Sequence, residues 1–540
     1  MVYLYLIIAV SGVTILVNMY NAHRKRNLVL SLWDRNTKLD HPINYHETFK
    51  YFYENAKKSS KDDYRVDDIT WNDLNMDKIF EKVNYTFTSV GEEFLFYRLK
   101  KAHEEHLFNE KIIEKMNQNR EYRNKLSLIL SSLGKLTYAN SSQYFSGKLD
   151  YKVDKIYFIL GVLPIVGMIT MFFSLPIGLS IFLVSTFVNT ALFYRNRSKN
   201  EVKFNSLFYC LHVISTSRKV AKLNSDNECI KQTNKLKKAT FISQFLLQDD
   251  GNGSNLVLQL FTFLKSIFLI DYFIFRYILN VLNNNRDIYE TAWRKVGDID
   301  CCYSIALWRK TLPYYCLPKY ENNTTLIIQD AYHPLLNKPV GNDFDFHKNI
   351  LLTGSNASGK STFIKTIAIN IVLSQALNTS TSKKITLRRG LVYSSMAMSD
   401  DIEKGQSYFL SEIYALKRIF DIRENNKDIF TYLFLDEIFK GTNTIERIAA
   451  AESVLNYLSD YNETKIMAAT HDLELTDKLS TKYDNYHFRE QIINDEIIFD
   501  YLIKVGPSKT RNAIELLRIT KFPEIVYREA LIKAKEFTNV

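Results

Sequence analysis

Cysteine is scarce in this chain and poorly placed for chemistry: five in 540 residues (Cys210, Cys229, Cys301, Cys302 and Cys316), with no C-x-x-C pair and no metal-ligand spacing. Such an odd, scattered set excludes a disulfide framework and a zinc site, and it points to reduced thiols in a cytosolic compartment. No internal repeat and no low-complexity tract occurs. An excess of acid is also lacking: 70 Lys and Arg stand against 59 Asp and Glu, a net charge of +11. That balance suits a polyanionic partner, nucleic acid or an anionic membrane surface, although lysines that only solvate the surface would give the same figure. The length allows two or three domains, each with its own core.

Charge is missing from three long runs. Val2 to Met19 carries none and is followed at once by His23-Arg24-Lys25-Arg26. It lacks the leading positive charges and small-residue cleavage site of a signal peptide. Ile156 to Phe173 and Ile177 to Phe193 form a pair, separated by Ser174-Leu175-Pro176. Each approaches the ~18–20 residues that cross the hydrocarbon core. Lys152 and Lys155 precede the pair, and Arg195, Arg197 and Lys199 follow it. The positive-inside bias then predicts an outer N-terminus, a span, a cytoplasmic segment, a hairpin, and everything after Arg195 in the cytoplasm, as in a multi-pass protein of the cell membrane. Buried core helices are the plainer alternative for all three runs. A fourth stretch, Leu256 to Leu282, is interrupted by Lys265, Asp271 and Arg276 and reads as one long packed cytoplasmic helix.

Against these absences stands the run GSNASGKST: Gly354, Ser355, Asn356, Ala357, Ser358, Gly359, Lys360, Ser361 and Thr362. It follows the apolar Asn349–Thr353, so it reads as strand, glycine-rich turn and helix. Small residues there let consecutive N–H groups turn toward phosphates, and the helix N-terminus adds partial positive charge. Lys360 would reach the β/γ-phosphates of a nucleoside triphosphate and Ser361 would ligate Mg²⁺. After Thr324, short apolar runs alternate with amphipathic helices. Leu326–Ile328, Ile350–Leu352, Leu391–Tyr393, Tyr432–Leu435 and Ile466–Ala469 are the expected strands of a mostly parallel sheet covered on both faces. Tyr432–Leu435 ends in Asp436-Glu437, which places two carboxylates beside the phosphate loop: Asp436 to hold Mg²⁺, Glu437 to orient or deprotonate the attacking water. The next strand ends in Thr470-His471. A histidine at that edge can hydrogen-bond the γ-phosphate or the water; alone it would be an ordinary polar loop residue.

These motifs resemble the MutS family of mismatch-repair ATPases in order, spacing and wording: LLTGSNASGKSTFIKT, SDDIEKGQSYFLSE (Ser399 to Glu412), LFLDEIFKGTNT (Leu433 to Thr444) and AATHDLEL (Ala468 to Leu475). Asp330-Ala-Tyr-His333-Pro334 is similar to the family's motif before the phosphate loop, and Val505 through Pro523 to its closing segment. Asp77 to Leu99 looks like the start of the family's helical core, or lever. The resemblance implies ATP with Mg²⁺ as cofactor and a composite site in a homodimer. Asn356 and Ser407 would then communicate across the interface, and Lys440-Gly441-Thr442-Asn443 would touch the opposite nucleotide. Ser407 also suits a helix N-cap. It implies DNA as a partner too. Basic runs such as Arg218-Lys219, Lys222 and Lys235-Leu-Lys237-Lys238 could meet duplex phosphates or anionic lipid, and both stay open.

The departures are specific. A membrane run and a short linker stand where the family carries a mismatch-reading domain and a connector. Phe52-Tyr53-Glu54 mimics the mismatch-probing Phe-x-Glu without a domain to present it. Pro339-Val340 lacks the aromatic expected for adenine stacking. The expected division is a transmembrane helix (1–22), a cytoplasmic linker (23–73), an all-α lever-like core in two parts (74–155 and 195–318) around a transmembrane hairpin (156–194), and an α/β P-loop ATPase domain of MutS/ABC type (319–540). The function expected is a membrane-anchored ATPase with DNA binding inherited from the family, acting with partner proteins the sequence does not identify. The alternatives are an ATPase coupled to transport or signalling without DNA, for which DDIEKGQSYF replaces the LSGGQ-like run of transporters, and a scaffold that binds ATP and hydrolyses little of it.

Overall fold

The apolar runs after Thr324 form strands in the computed structural model, which describes residues 2–39, 48–50, 52–54, 65–101, 109–136, 141, 142, 144, 155–246, 256–323, 325–355, 358–396, 408–493, 496–508 and 513–538. The chain divides into two units. The first comprises Met1–Lys61, Asn84–Tyr97 and Asn109–Lys310; the second comprises Asp62–Val83, Arg98–Phe108 and Thr311–Val540.

The second unit carries the sheets. Five strands lie parallel in the order Tyr483–His487, Asn349–Thr353, Thr464–Ala469, Thr431–Asp436, Leu391–Ser395, and Lys504–Val505 pairs antiparallel on the Tyr483 edge. Every residue of Asn349–Thr353, Leu391–Ser395 and Thr431–Asp436 is buried, which is why each reads as a continuous apolar run and not as an alternation. Leu351, Leu433, Leu435 and Ile466 pack with Leu416 and Ile419 of the Tyr408–Asn425 helix and with Leu455 and Leu458 of the Thr444–Ser459 helix. The Lys360–Leu377 helix, buried along nearly its whole length, packs on the same sheet.

One expected strand belongs elsewhere. Leu326–Ala331 sits in a second sheet, antiparallel to both Lys384–Leu387 and Asn342–Asp345, with Lys319–Tyr320 at its edge. An apolar run specifies a strand but not its partner. Residues 62–83, assigned from sequence to the linker and lever, join this unit through carboxylates. Asp67 caps the Asp68–Asp73 helix by accepting from Thr70 N (2.9 Å) and pairs with Arg418 (2.6 Å), while Asp73 accepts from Ser394 Oγ (2.6 Å) and Met396 N (3.1 Å).

The described part of the first unit is helical. Its first helix runs Val2–Arg35, past the expected boundary at residue 22, because Val29, Leu32 and Trp33 are buried, with Trp33 edge-on to Tyr303 at 5.4 Å. Phe52 lies in this core against Trp293 (4.5 Å) and Tyr97 (4.8 Å), so it fills space and is not presented to a ligand. The apolar pair forms helices Ile156–Thr170 and Leu175–Leu223, the second 49 residues long, or ~74 Å. Among the described residues, Leu175–Arg195 alone is long and apolar enough to cross a membrane, and Ile156–Thr170 is a shorter apolar helix. The expected single helix over Leu256–Leu282 is two, Leu256–Phe268 and Ile270–Asn284, because Leu269 adopts left-handed backbone (φ 49°).

Asn189 ties three of these helices together. Pro164 has no N–H to give to Leu160 O, and the Ile267 carbonyl lies in the last turn before the break at Leu269. Asn189 Nδ2 donates to both, at 2.8 Å each. An unpaired peptide group in apolar surroundings costs several kcal/mol, so one amide offsets two such costs.

Away from the apolar helices, the first unit buries acid. Glu93 accepts from Ser141 N (3.2 Å), Ser141 Oγ (2.9 Å) and Ser142 Oγ, and burial pushes its carboxyl up to about 7. Its folded value lies above its unfolded one, so its contribution favours folding at low pH and is lost as pH rises from about 4.5 through 7. Glu93→Gln should therefore gain stability relative to the native chain by a few kcal/mol between pH 5 and 8. Parallel thermal unfolding curves across that range check this; a constant difference between the two proteins would contradict it.

Candidate functional site

The parallel sheet brings the ends of Asn349–Thr353, Thr431–Asp436 and Thr464–Ala469 together, since Leu352 and Asp436 both lie in register with Ala469. At the first of these ends, Gly354 (φ 142°) and Gly359 (φ 107°) hold the phosphate loop in backbone that side chains rarely adopt. A Cβ on Gly354 would also meet Phe488 O at 2.6 Å. Lys360 opens the following helix, and its Nζ donates to Gly354 O (2.7 Å) and Ser355 O (2.9 Å). Its ammonium is thereby held within the loop. Burial lowers the Lys360 pKa, while Glu437, Asp436 and Glu490 act in the opposite direction. Ser355 Oγ donates to Glu490 (2.7 Å), a partner that no motif suggested.

The two carboxylates after the strand are held differently. Asp436 is buried, its carboxyl is raised by desolvation with the Ser361 hydroxyl opposing, and its Oδ1 has no hydrogen-bond partner. Ser358 Oγ is likewise buried and unpartnered. Unsatisfied hard oxygens beside Ser361 fit a Mg²⁺ ion, which takes oxygen donors. Glu437 hydrogen-bonds His471 Nε2 and pairs with Lys440 Nζ at 2.8 Å; these contacts hold its carboxyl down at about 2, against burial. It adopts left-handed backbone (φ 53°), where the chain turns off the strand.

The loop carrying His471 is fixed in turn. Asp472 takes a two-pronged contact from Arg447, Nε at 2.8 Å and Nη2 at 2.6 Å, and Arg447 lies in the first turn of the helix capped by Asn443. Gly441 N donates to Glu412 at 3.3 Å. Sequence reasoning missed Arg447, although Asp472 directly follows Thr470-His471.

Ser355, Ser358, Gly359, Lys360, Ser361, Thr362 and Glu437 line one cavity of about 550 Å³. Its remaining wall includes His333, Leu336, Val340, Phe488 and Tyr501. Burial lowers His333 to about 4, so its ring is neutral near pH 7. Pro339-Val340 carries no aromatic, but Tyr501 does line this wall and would lie 3.1 Å from a Cβ on Gly359. Asn342 positions it by donating to Tyr501 O (3.0 Å) and accepting from Ile503 N (2.8 Å). No local pattern foretells a contact across 140 residues. Of the expected site residues, Asn356, Ala357 and Ser407 lie outside the described residues; Gly354, Asp436 and His471 do not line the cavity and connect to it through Lys360, Ser361 and Glu437 respectively.

Residues 350–538 match the family model of MutS domain V. The curated relatives include the DNA mismatch repair proteins MutS of Geobacillus sp. (strain WCH70), 30% identical over 254 residues, and of Protochlamydia amoebophila (strain UWE25), 30% identical over 266. That of Desulfatibacillum aliphaticivorans is 27% identical over 278. These alignments cover 45%, 46% and 48% of this chain and only 29%, 30% and 30% of the relatives. The phosphate loop, the acidic strand end and the histidine loop all lie in that matched region, so the C-terminal part of the chain is a MutS-type domain V.

Proposed function

We propose that this chain binds Mg·ATP and hydrolyses it, in a site completed by a second copy, while tethered to the cell membrane with its ATPase domain in the cytoplasm. The observation that carries the enzymatic reading is the pair of neighbouring carboxylates: one buried with an unpartnered oxygen, one kept ionised by His471 and Lys440. Lys360 and the amides of the loop bind the phosphates. Ser361 and Asp436 would hold Mg²⁺, which neutralises charge on the phosphate oxygens. Glu437 orients the attacking water. A carboxylate at about 2 is a weak base, so positioning outweighs proton abstraction in its role. His471 fixes the carboxylate, and Arg447 fixes the His471 loop through Asp472. Tyr501 and Phe488 offer apolar faces for the base. Dimerisation rests on the family reading of Asn356, Ser407 and the 440–443 turn.

Membrane attachment is supported by the hairpin surface. Phe172 is 91% exposed and Phe173 87%, at the tip of two apolar helices bracketed by Lys155 and Arg195. The relatives' names carry DNA mismatch repair; in this chain the support for DNA is the exposed set Lys219, Lys222, Lys235, Lys237 and Lys238. The same lysines and the exposed hairpin would also serve a second reading, an ATPase acting in a membrane process without DNA.

Glu437→Gln should keep ATP affinity and lower turnover by roughly 10²–10⁴-fold. Because Glu437 is depressed, its pairing stabilises the site above about pH 4.5 and is lost only as pH falls toward 2, so no limb of the turnover profile between pH 5 and 8 belongs to it. Steady-state ATPase assays with parallel nucleotide-binding titrations test both points; unchanged turnover would remove Glu437 from catalysis. For DNA, Lys235→Glu with Lys238→Glu should weaken duplex binding and reduce its salt slope by about 2. No duplex affinity in the native chain at low salt would leave the second reading.

A further inference from the structure

The break at Leu269 is packed against the hairpin. Phe193, Leu269 and Tyr272 form one buried cluster. Asn189 donates to Ile267 O, and the hydroxyls of Thr190 and Ser266 lie 3.3 Å apart. A Cβ on Gly161 would come within 2.8 Å of Phe268 O. These contacts place the end of the Leu256–Phe268 helix and the break beside residues 189 and 190 of Leu175–Leu223 and beside Gly161. Asn189 stands six residues before Arg195, and Leu160 five after Lys155, so the break lies ~8–9 Å along the hairpin from its basic end. Beyond it the chain lies along the first residues of Ile156–Thr170. Tyr272 stacks on Tyr157 (4.6 Å), Phe273 meets Phe158 edge-on (4.8 Å), and the Arg276 guanidinium lies over Phe158 (4.8 Å).

Polar and apolar side chains sort around this break. Lys265, a charged residue of the first helix, is 2% exposed, whereas Phe263, Leu264 and Phe273 are 46%, 50% and 38% exposed. Phe273 meets Phe158 of the hairpin, so that apolar surface adjoins it. Exposed Lys155, Arg195 and Arg276 stand at the basic end, where headgroup phosphates would lie. Lipid is therefore the cover that matches both the apolar patch and its basic border.

We propose that the turn at Leu269 inserts into the leaflet at the basic end of the hairpin, held there by Asn189, so that acyl chains cover Phe263, Leu264 and Phe273. The proposal rests on the membrane reading above. It makes the tether a hairpin plus a helix break beside it, with the Ile267 and Leu160 carbonyls at that depth satisfied by Asn189.

The test uses the full chain in phosphatidylcholine–phosphatidylglycerol vesicles, with Cys316→Ser as background because the other four cysteines are buried. An environment-sensitive fluorophore is attached to Phe263→Cys, Val184→Cys or Glu228→Cys, and quenching by lipids brominated at shallow or deep acyl positions is measured. Expected are deep quenching at position 184, quenching at 263 and none at 228. Quenching at 184 without quenching at 263 overturns the insertion of the turn and leaves the hairpin in the membrane; no quenching at either overturns the membrane reading itself. Adding Asn189→Val should at least halve the quenching at 263 and spare that at 184. Unchanged quenching at 263 would overturn the role given to Asn189.

Discussion

Two carboxylates, adjacent in sequence at the end of one strand, are kept in opposite electrostatic situations, and the chemistry of the second unit depends on that separation. Burial raises Asp436 and leaves one of its oxygens without a partner; the His471 ring and the Lys440 ammonium hold Glu437 down at about 2. Like charges so close would normally contest a proton. Here the left-handed turn at Glu437 parts their surroundings, and the Lys360 ammonium, fixed by the carbonyls of Gly354 and Ser355, balances both. The parallel sheet serves this arrangement by ending three strands at one edge. Arg447 and Asp472 extend it outward, since a histidine that holds a carboxylate must itself be held.

Much of this was legible in the chain. The phosphate loop, the acidic strand end and Thr470-His471 announce themselves because each couples an apolar strand to a short polar signature, and strands buried on both faces give uninterrupted apolar runs. What escaped notice depends on contacts between distant residues. Tyr501 reaches Gly359, and Asn342 positions the Tyr501 segment; neither contact leaves a periodic trace. The apolar run Leu326–Ile328 announces a strand but not its sheet, since pairing is decided by the tertiary fold. The break at Leu269 was invisible because leucine rarely adopts left-handed backbone, and nothing in Leu256–Leu282 resembles a glycine or proline stop.

The helical unit poses a different physical problem, the satisfaction of peptide groups where water is scarce. Pro164 and Leu269 each disturb a helix, and Asn189 answers both with one side chain. The Leu175–Leu223 helix then runs on for 49 residues without interruption, joining the apolar hairpin to a core that holds Glu93 and its serine partners. A continuous helix transmits tilt and rotation better than a hinged one. That gives the hairpin a stiff connection to the rest of the first unit.

The most direct measurement is a titration of ATP binding to the full chain with and without Mg²⁺, for the native protein and for Asp436→Asn. If the unpartnered oxygen of Asp436 holds the ion, Mg²⁺ should tighten ATP binding to the native chain by roughly tenfold or more, and the substitution should abolish that gain while leaving the Mg²⁺-free affinity in place. An equal gain in both proteins, or none in the native chain, would contradict the site as assigned.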